Sequence, residues 1–303
     1  MLHKIISRTL PYFPPKLIWQ FSKSYIAGET SQDAINASKA LNRENIMVTL
    51  DILGEFIKTM SQAAKNRYAY LTLIRTIEAA GINANYSLKP TMFGLLIDKK
   101  ICFEYIRELT AEAASHGNFI RIDMENSPCV DDSIDIFRRL KREFPQNIGL
   151  VLQAYLKRTL NDLESMLDLR RDDAALNFRL VKGIYVEPAD IAYKDYHEIN
   201  DHFLKDLEFM LKNKIDAAIA THDTPLIQGA LHLIDKYQVP KEHYEFQMLY
   251  GVTPKKRREL VKNGHRMRVY VPFGEQWFGY STRRLKENPA MVKHIIKALF
   301  YKE

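Results

Sequence analysis

Residues 177–185 read NFRLVKGIY and residues 215–223 read IDAAIATHD, with a long stretch of helical apolar spacing between them at 187–213. Both short runs are largely apolar without clean alternation, as expected of strands buried on both faces. Parallel strands need a long crossover, usually a helix. This part of the chain therefore predicts a βαβ unit.

The same rhythm extends outward from this unit along the chain. Eight strand-like runs alternate with helical patterns over about 250 residues, which predicts an α/β fold of the (β/α)₈ TIM-like barrel type. The alternative is an open doubly wound sheet, but no GxGxxG follows any of the strands. The predicted strands span 46–53, 84–90, 118–125, 148–155, 177–185, 215–223, 244–251 and 266–274.

Helical patterns occupy the connections. Residues 55–80 have helical apolar spacing and stop at Gly81, and 131–144 open with Asp131 and Asp132 as N-cap and first-turn residues. Further helices are predicted at 224–237, at 279–287 and from Pro289 onward. We divide the chain into an N-terminal helical arm, 1–44, and the barrel, 45–303.

Composition is that of an ordinary globular protein, with 46% hydrophobic and 27% charged residues. Apolar runs are shorter than a membrane span, and the two cysteines form no zinc pattern, so we expect a cytoplasmic protein without a metal site. The net charge is +7. Residues 1–28 are basic and aromatic, which fits contact with a membrane surface or an arm packed on the barrel.

Polar residues cluster where the strands end. In a barrel this face carries the active site, so separate segments converge on one cavity. Arg179 inside an apolar strand requires an anion, either a carboxylate such as Asp123 or a ligand. The polar positions are Lys89, Asp123, Glu125, Gln153, Tyr155, Arg179, Lys182, Tyr185, Thr221, His222, Asp223, Gln247 and Tyr270.

Several chemistries are disfavoured by missing motifs: no GxxxxGK[ST], HExxH or GxSxG is present. Lys182 near a strand end could form a Schiff base, which keeps a carbonyl lyase as one alternative. A nucleic-acid binder is a second alternative because of the positive charge, although basic residues with interleaved aromatics occur only at the N-terminus. We expect no nucleic-acid partner.

The motifs together resemble the proline dehydrogenases, over about residues 25–290. The resemblance rests on VTLDILGE, SLKPT, RIDME, VLQAYLKR, RLVKGIY, ATHD, EFQMLYG and VYVPFGEQWFGYSTRRLKEN, in that order. It covers both stand-alone bacterial enzymes and the first catalytic domain of bifunctional proline-utilisation proteins.

The resemblance implies a distorted barrel that binds FAD and oxidises L-proline to Δ¹-pyrroline-5-carboxylate, with electrons passing to a membrane quinone. It implies that Lys89, Arg283 and Arg284 hold the proline carboxylate, braced by Asp123, and that Tyr270 packs on the ring. Arg179 would lie against the flavin N5 region, so Asp123 and Arg179 are the candidate catalytic residues. The FAD site would be lined by Met124, Gln153, Lys182, Gly183, Ile184, Tyr185, Thr221 and His222.

The resemblance also implies partners. The product would pass to a separate pyrroline-5-carboxylate dehydrogenase, and residues 1–28 would place the enzyme peripherally on the inner face of the membrane. Asp223 departs from the family pattern, because many members have Asn there, and so does Val186 after Tyr185, where the bifunctional members have Trp.

Overall fold

The computed structural model of the protein describes Trp19 and residues 22–281. Eight parallel strands close into a barrel in which each strand pairs with the next in sequence and β8 pairs with β1. The predicted (β/α)₈ barrel is confirmed. The strands are β1 (Met47–Ile52), β2 (Ala84–Leu88), β3 (Ile120–Ile122), β4 (Ile148–Gln153), β5 (Asn177–Val181), β6 (Asp216–Ala220), β7 (Tyr244–Leu249) and β8 (Met267–Phe273).

Helices cover the outside of the barrel. Helix α1 (Ser31–Arg43) precedes β1, and an α-helix follows each of the strands β1 to β7. The remaining helices are α2 (Met60–Ala79), α3 (Lys99–Ser115), α4 (Val130–Glu143), α5 (Thr159–Ser165), α6 (Tyr196–Lys212), α7 (Thr224–Lys236) and α8 (Pro254–Lys262). After β8 the chain is helical at 277–281, so most of the predicted helix at 279–287 and the one from Pro289 lie outside the described residues.

Two predicted helix starts are wrong. The helix predicted from residue 187 begins at Tyr196, where the Asp195 side chain caps it by accepting from the backbone N–H groups of His197 and Glu198. The N-cap of α4 is Cys129, and Asp131 and Asp132 lie in the first turn. There their negative charges complement the helix dipole.

Along most of the strands, apolar residues that face the helices alternate with polar residues, contrary to the expected lack of clean alternation. Positions that face the helices are apolar and fully buried, such as Leu50, Ile122 and Phe178, and the Phe178 ring packs edge-on against Phe137 of α4 at 5.4 Å. Burial of each such side chain contributes about 1.5–3 kcal/mol. The intervening positions face the barrel interior and are largely polar, because charged groups pair there across the barrel.

Small residues make room for these interior charges. A Cβ at Gly149 would lie 2.8 Å from Arg121 Nη1 and 2.7 Å from the Asn177 carbonyl oxygen. Arg121 donates to that carbonyl at 3.1 Å and to Asn177 Oδ1 at 2.7 Å. Burial, aided by repulsion from Arg179, lowers the pKa of Arg121 to about 9.

The segment before α1 runs along the barrel. The Ala27 N–H donates to the Pro272 carbonyl at 2.9 Å, and Tyr25 and Ile26 are buried. Trp19 packs against Trp277, with ring centroids 4.7 Å apart. This part of 1–28 therefore behaves as a packed arm, while residues 1–18, 20 and 21 lie outside the described residues.

Helix α1 contributes Ala34, Ile35 and Leu41 to the hydrophobic core and packs against β1 and β8. Thr30 and Asp33 form a capping box at its start. Across Trp19 and 22–281, the structure contains no helix with the length and apolar character needed to cross a bilayer.

Candidate active site

A pocket of about 400 Å³ opens at the carboxyl ends of the strands. Every residue that the family resemblance assigns to the site and that lies within the described ranges lines it: Lys89, Asp123, Met124, Gln153, Arg179, Lys182, Gly183, Ile184, Tyr185, Thr221, His222 and Tyr270. Among the other polar strand-end positions, Asp223 and Gln247 line the pocket, whereas Glu125 and Tyr155 do not. Arg283 and Arg284 lie outside the described residues. The structure adds residues whose place in the pocket the sequence did not assign, among them Glu55, Leu249 and Tyr280.

Asp123, just after β3, is the hub of the pocket floor. Its Oδ1 accepts hydrogen bonds from Ser87 Oγ and Arg179 Nη1, both at 2.9 Å, and its Oδ2 accepts one from Tyr270 Oη at 2.7 Å. Burial opposes ionisation, but the positive charges of Lys89 and Arg179 outweigh it and hold the pKa of Asp123 below its usual range. The predicted pairing of Arg179 with Asp123 is therefore present.

Lys89 follows β2 and meets a second carboxylate that the sequence analysis missed. Its Nζ lies 3.0 Å from both oxygens of Asp51 and 3.4 Å from Asp123 Oδ2. Burial would lower the pKa of Lys89, but Asp51 and Asp123 together raise it well above its ordinary value. Asp51 is fully buried on β1, and an acid in the apolar run VTLDIL was the available signal.

Arg179 on β5 is held by three hydrogen-bond partners, and one of its donor nitrogens has none among the described residues. Its Nε donates to Gln247 Oε1 at 2.5 Å, and its Nη1 donates to Ser87 Oγ at 3.1 Å as well as to Asp123. Its Nη2 is buried and has no hydrogen-bond partner among Trp19 and residues 22–281. A buried N–H without a partner is costly, so this donor fits an acceptor atom of a bound ligand.

The rim of the pocket carries a different set of contacts. Lys182 pairs with Asp223, which also accepts a hydrogen bond from Tyr196 Oη at 2.6 Å. A Cβ on Gly183 would lie 2.1 Å from the Tyr155 ring, and Gly183 has a φ of +115°, so only glycine fits there.

Two further pocket residues are fixed by hydrogen bonds to the backbone. His222 Nε2 accepts from the Leu249 N–H at 2.9 Å. Gln153 donates to the Glu125 carbonyl at 3.0 Å.

Two buried glutamates fasten neighbouring loops of the rim. Glu125 accepts from the N–H and the hydroxyl of Thr91, and Glu187 accepts from the N–H and the hydroxyl of Ser127. Burial raises the pKa of Glu125 to about 6, against the lowering effect of the Thr91 hydrogen bonds. In the part of the chain that the structure describes, no group of three or more His, Cys, Asp or Glu residues could hold a metal ion.

A closed parallel barrel with buried, paired charges beneath a pocket at its carboxyl face defines a (β/α)₈-barrel enzyme. The sequence profile of the family described as Proline dehydrogenase matches residues 34–296. The chain belongs to the proline dehydrogenase family. This membership favours the dehydrogenase over the Schiff-base lyase and the nucleic-acid binder.

Individual relatives span nearly the whole chain. Proline dehydrogenase 1 of Bacillus subtilis (strain 168) is 34% identical over 296 residues, which cover 95% of this chain and 96% of that protein. Proline dehydrogenase of Deinococcus radiodurans is 34% identical over 286 residues, 93% of this chain and 91% of that one.

A solved structure supports the fold. Proline utilization A from Bdellovibrio bacteriovorus, inactivated by N-propargylglycine, matches with a TM-score of 0.83 at 25% identity and covers 90% of this chain. The match takes up 33% of the chain of that protein, so the present chain corresponds to about a third of it.

Proposed function

We propose that this protein oxidises L-proline to Δ¹-pyrroline-5-carboxylate with FAD as the hydride acceptor, the first step of proline degradation to glutamate. The observation that carries the proposal is the pocket floor, where Lys89 and Arg179 surround Asp123 and Arg179 Nη2 has no hydrogen-bond partner within the described ranges. Membership of the proline dehydrogenase family supports the substrate.

The pocket fits a flavin in the chemistry of its lining. Its walls combine apolar side chains with the backbone at Gly183 and with Arg179, whose Nη2 donor has no partner within the described residues. The residues that would hold FAD are Met124, Gln153, Lys182, Gly183, Ile184, Tyr185, Thr221 and His222. When bound, FAD supplies the acceptor for a hydride from proline, chemistry that protein side chains do not provide.

The pocket floor would bind and orient the substrate. Lys89 is charged and faces the pocket, so its ammonium would attract the proline carboxylate, and Arg283 and Arg284 would complete that clamp. Tyr270, fixed by its bond to Asp123, would pack against the ring. A carboxylate held at several points fixes the substrate carbon at the distance that hydride transfer requires, roughly 3–3.5 Å.

Arg179 and Asp123 would set the electrostatics of the pocket floor. The unpartnered Nη2 donor of Arg179 would place positive charge beside the bound cofactor, which favours a site that gains negative charge. Asp123 holds Arg179, Lys89 and Tyr270 at once, so the orientation of the floor depends on it.

The electrons would then pass to a membrane quinone, and the product to a separate pyrroline-5-carboxylate dehydrogenase. Residues of 1–28 beyond the packed segment would provide a peripheral contact with anionic lipid at the inner membrane face. In a flotation assay, we expect the protein to rise with anionic vesicles. Recovery in the non-floating fraction would remove the membrane contact from the proposal.

The first experiment is an absorption spectrum of the purified protein, followed by anaerobic addition of L-proline. We expect flavin bands that bleach with L-proline and persist with D-proline. Bands that L-proline does not bleach would refute the substrate, and a protein that binds no FAD after reconstitution would refute the cofactor as well.

A further inference from the structure

Two charged side chains lie inside the barrel below the pocket and outside its lining. Glu245 on β7 and Arg268 on β8 are each 8% exposed, and they form a bidentate pair with N–O distances of 2.7 and 3.2 Å. Arg268 Nη1 also donates to the Val48 carbonyl at 2.9 Å. The pair is thus anchored to the backbone of β1, and neither residue lines the pocket.

The pair connects to the pocket through one amide. Gln247 Nε2 donates to Glu245 Oε1 at 2.5 Å, and Gln247 Oε1 accepts from Arg179 Nε at 2.5 Å. Glu245, Gln247 and the EFQMLYG segment that carries them are part of the family resemblance, yet the site chemistry gives Glu245 no role.

The charge of Glu245 fixes which way the amide of Gln247 faces. Burial opposes ionisation, but the Arg268 guanidinium outweighs it and lowers the pKa of Glu245 to about 2. An ionised carboxylate can only accept, so the amide must turn its NH₂ toward Glu245 and its oxygen toward Arg179. That oxygen is the acceptor that holds Arg179 Nε.

We infer that Glu245 and Arg268 are positioning residues that act through Gln247 to aim the Arg179 guanidinium at the pocket. With Nε bound to Gln247 and Nη1 to Asp123 and Ser87, the plane of the guanidinium is fixed, and Nη2 is left as its donor without a partner among the described residues. The inference rests on the proposed function, because it assigns the chain of contacts to the hydride-transfer step.

A buried ion pair can also serve stability alone, and the double variant Glu245→Leu/Arg268→Met separates the two roles. Replacing both partners of a buried ion pair by apolar residues is often neutral for stability. Here Arg266, 3.8 Å from Glu245, and the buried Arg121 also lose a neighbouring negative charge. The double variant removes the acceptor that orients Gln247, however. A purely structural pair would leave the rate unchanged once the protein folds.

We expect the double variant to bind FAD. In single-turnover mixing, L-proline should reduce its flavin about 10–100-fold more slowly than in wild type. In steady-state assays, KM should stay within about threefold of wild type. The flavin midpoint potential should become more negative, because the positive charge of Arg179 would be less well oriented toward the flavin. This second readout does not depend on turnover.

Two further variants complete the test. Glu245→Gln keeps the volume and one acceptor oxygen, so its rate should lie between those of wild type and the double variant. Lys141→Met is the matched control, since Lys141 of α4 is a buried cation that donates to the carbonyl groups of Pro145 and Ala175, outside the contacts of Arg179. It should lower the melting temperature and leave the rate and the potential at wild-type values.

The outcomes distinguish this inference from the proposed function. If wild type is not bleached by L-proline, the proposed function fails. If wild type is bleached and the folded double variant matches it in rate and potential, the positioning inference is overturned. Should the double variant not fold, a wild-type rate and potential in Glu245→Gln would overturn it equally.

Discussion

The two faces of the barrel strands differ in chemistry, and adjacent residues of β5 show the difference best. Phe178 faces the helices, is fully buried and packs on Phe137, whereas Arg179 faces the interior and bonds to Ser87, Asp123 and Gln247. Barrel interiors are usually filled by branched apolar residues. Here the outer face provides the hydrophobic stability and the inner face carries the electrostatics of the site.

The largest expected effect comes from the inner face. Arg179→Met should reduce the rate of flavin reduction by about 10³-fold, or about 4 kcal/mol, because it removes the donor beside the flavin. Asp123 keeps Lys89 and Tyr270 as partners, so no charge is left isolated. Stopped-flow reduction by L-proline measures the rate, and a rate within tenfold of wild type would contradict the assignment.

The neighbouring residue should show the reverse behaviour. Phe178→Ala leaves a cavity against Phe137 and should cost about 3–4 kcal/mol of stability. The folded protein should keep its KM for proline and a rate within about threefold of wild type. Urea unfolding and steady-state kinetics on the same preparation test both statements. A large rate loss at wild-type stability would mean that the two faces are not separable.

Local patterns explain how much of this could be predicted. The strands, the helices and the polar residues at the strand ends are each encoded in a short stretch of sequence. The eight-stranded barrel and its ring of polar residues could therefore be predicted. The start of α6 did not, because residues before it are held by tertiary contacts, such as Glu187 with Ser127 and the bridge between Leu156 and Ala192.

Pairings across the barrel were beyond sequence reasoning for a related reason. Lys89 meets Asp51, and Glu245 meets Arg268, only once β1, β2, β7 and β8 are aligned in register. The charge and the expected burial of each side chain indicate that it needs a partner, but separation along the sequence does not identify that partner.

A buried acid on one of the outer helices allows the pH dependence of stability to be tested on the apolar side of the barrel. Asp206 of α6 is 2% exposed, and burial raises its pKa to about 7. The native state therefore binds a proton more tightly than the unfolded state, so stability should fall as pH rises from about 4 to about 7.

Asp206→Asn should remove this loss and stabilise the protein by about 2 kcal/mol at pH 8.5. This is below the upper limit of about 4 kcal/mol that follows from a pKa of about 7 in the native state and about 4 in the unfolded chain. At pH 4 the variant and wild type should melt alike. Asp201→Asn, on the exposed side of the same helix, is the control and should leave stability unchanged at both pH values. Equal gains at both pH values would show that charge burial is not the cause.

The smallest expected effect lies at the solvent-exposed rim, where the two chemistries meet. Lys182, a proposed FAD ligand, is paired with Asp223, and its Nζ lies 4.2 Å from the centroid of the Tyr196 ring. A carboxylate beside a lysine weakens its attraction for an anionic ligand. Asp223→Asn should therefore tighten FAD binding about threefold, or about 0.7 kcal/mol, a value limited by solvent screening.

Fluorescence titration of the apoprotein with FAD at two ionic strengths measures this effect. The gain should shrink at high salt, because screening reduces the penalty that Asp223 imposes in the wild type. Lys182→Met is the matched variant and should weaken binding, with little further change when Asp223→Asn is added. Weaker FAD binding in Asp223→Asn would instead mean that this carboxylate holds Lys182 in place for the cofactor.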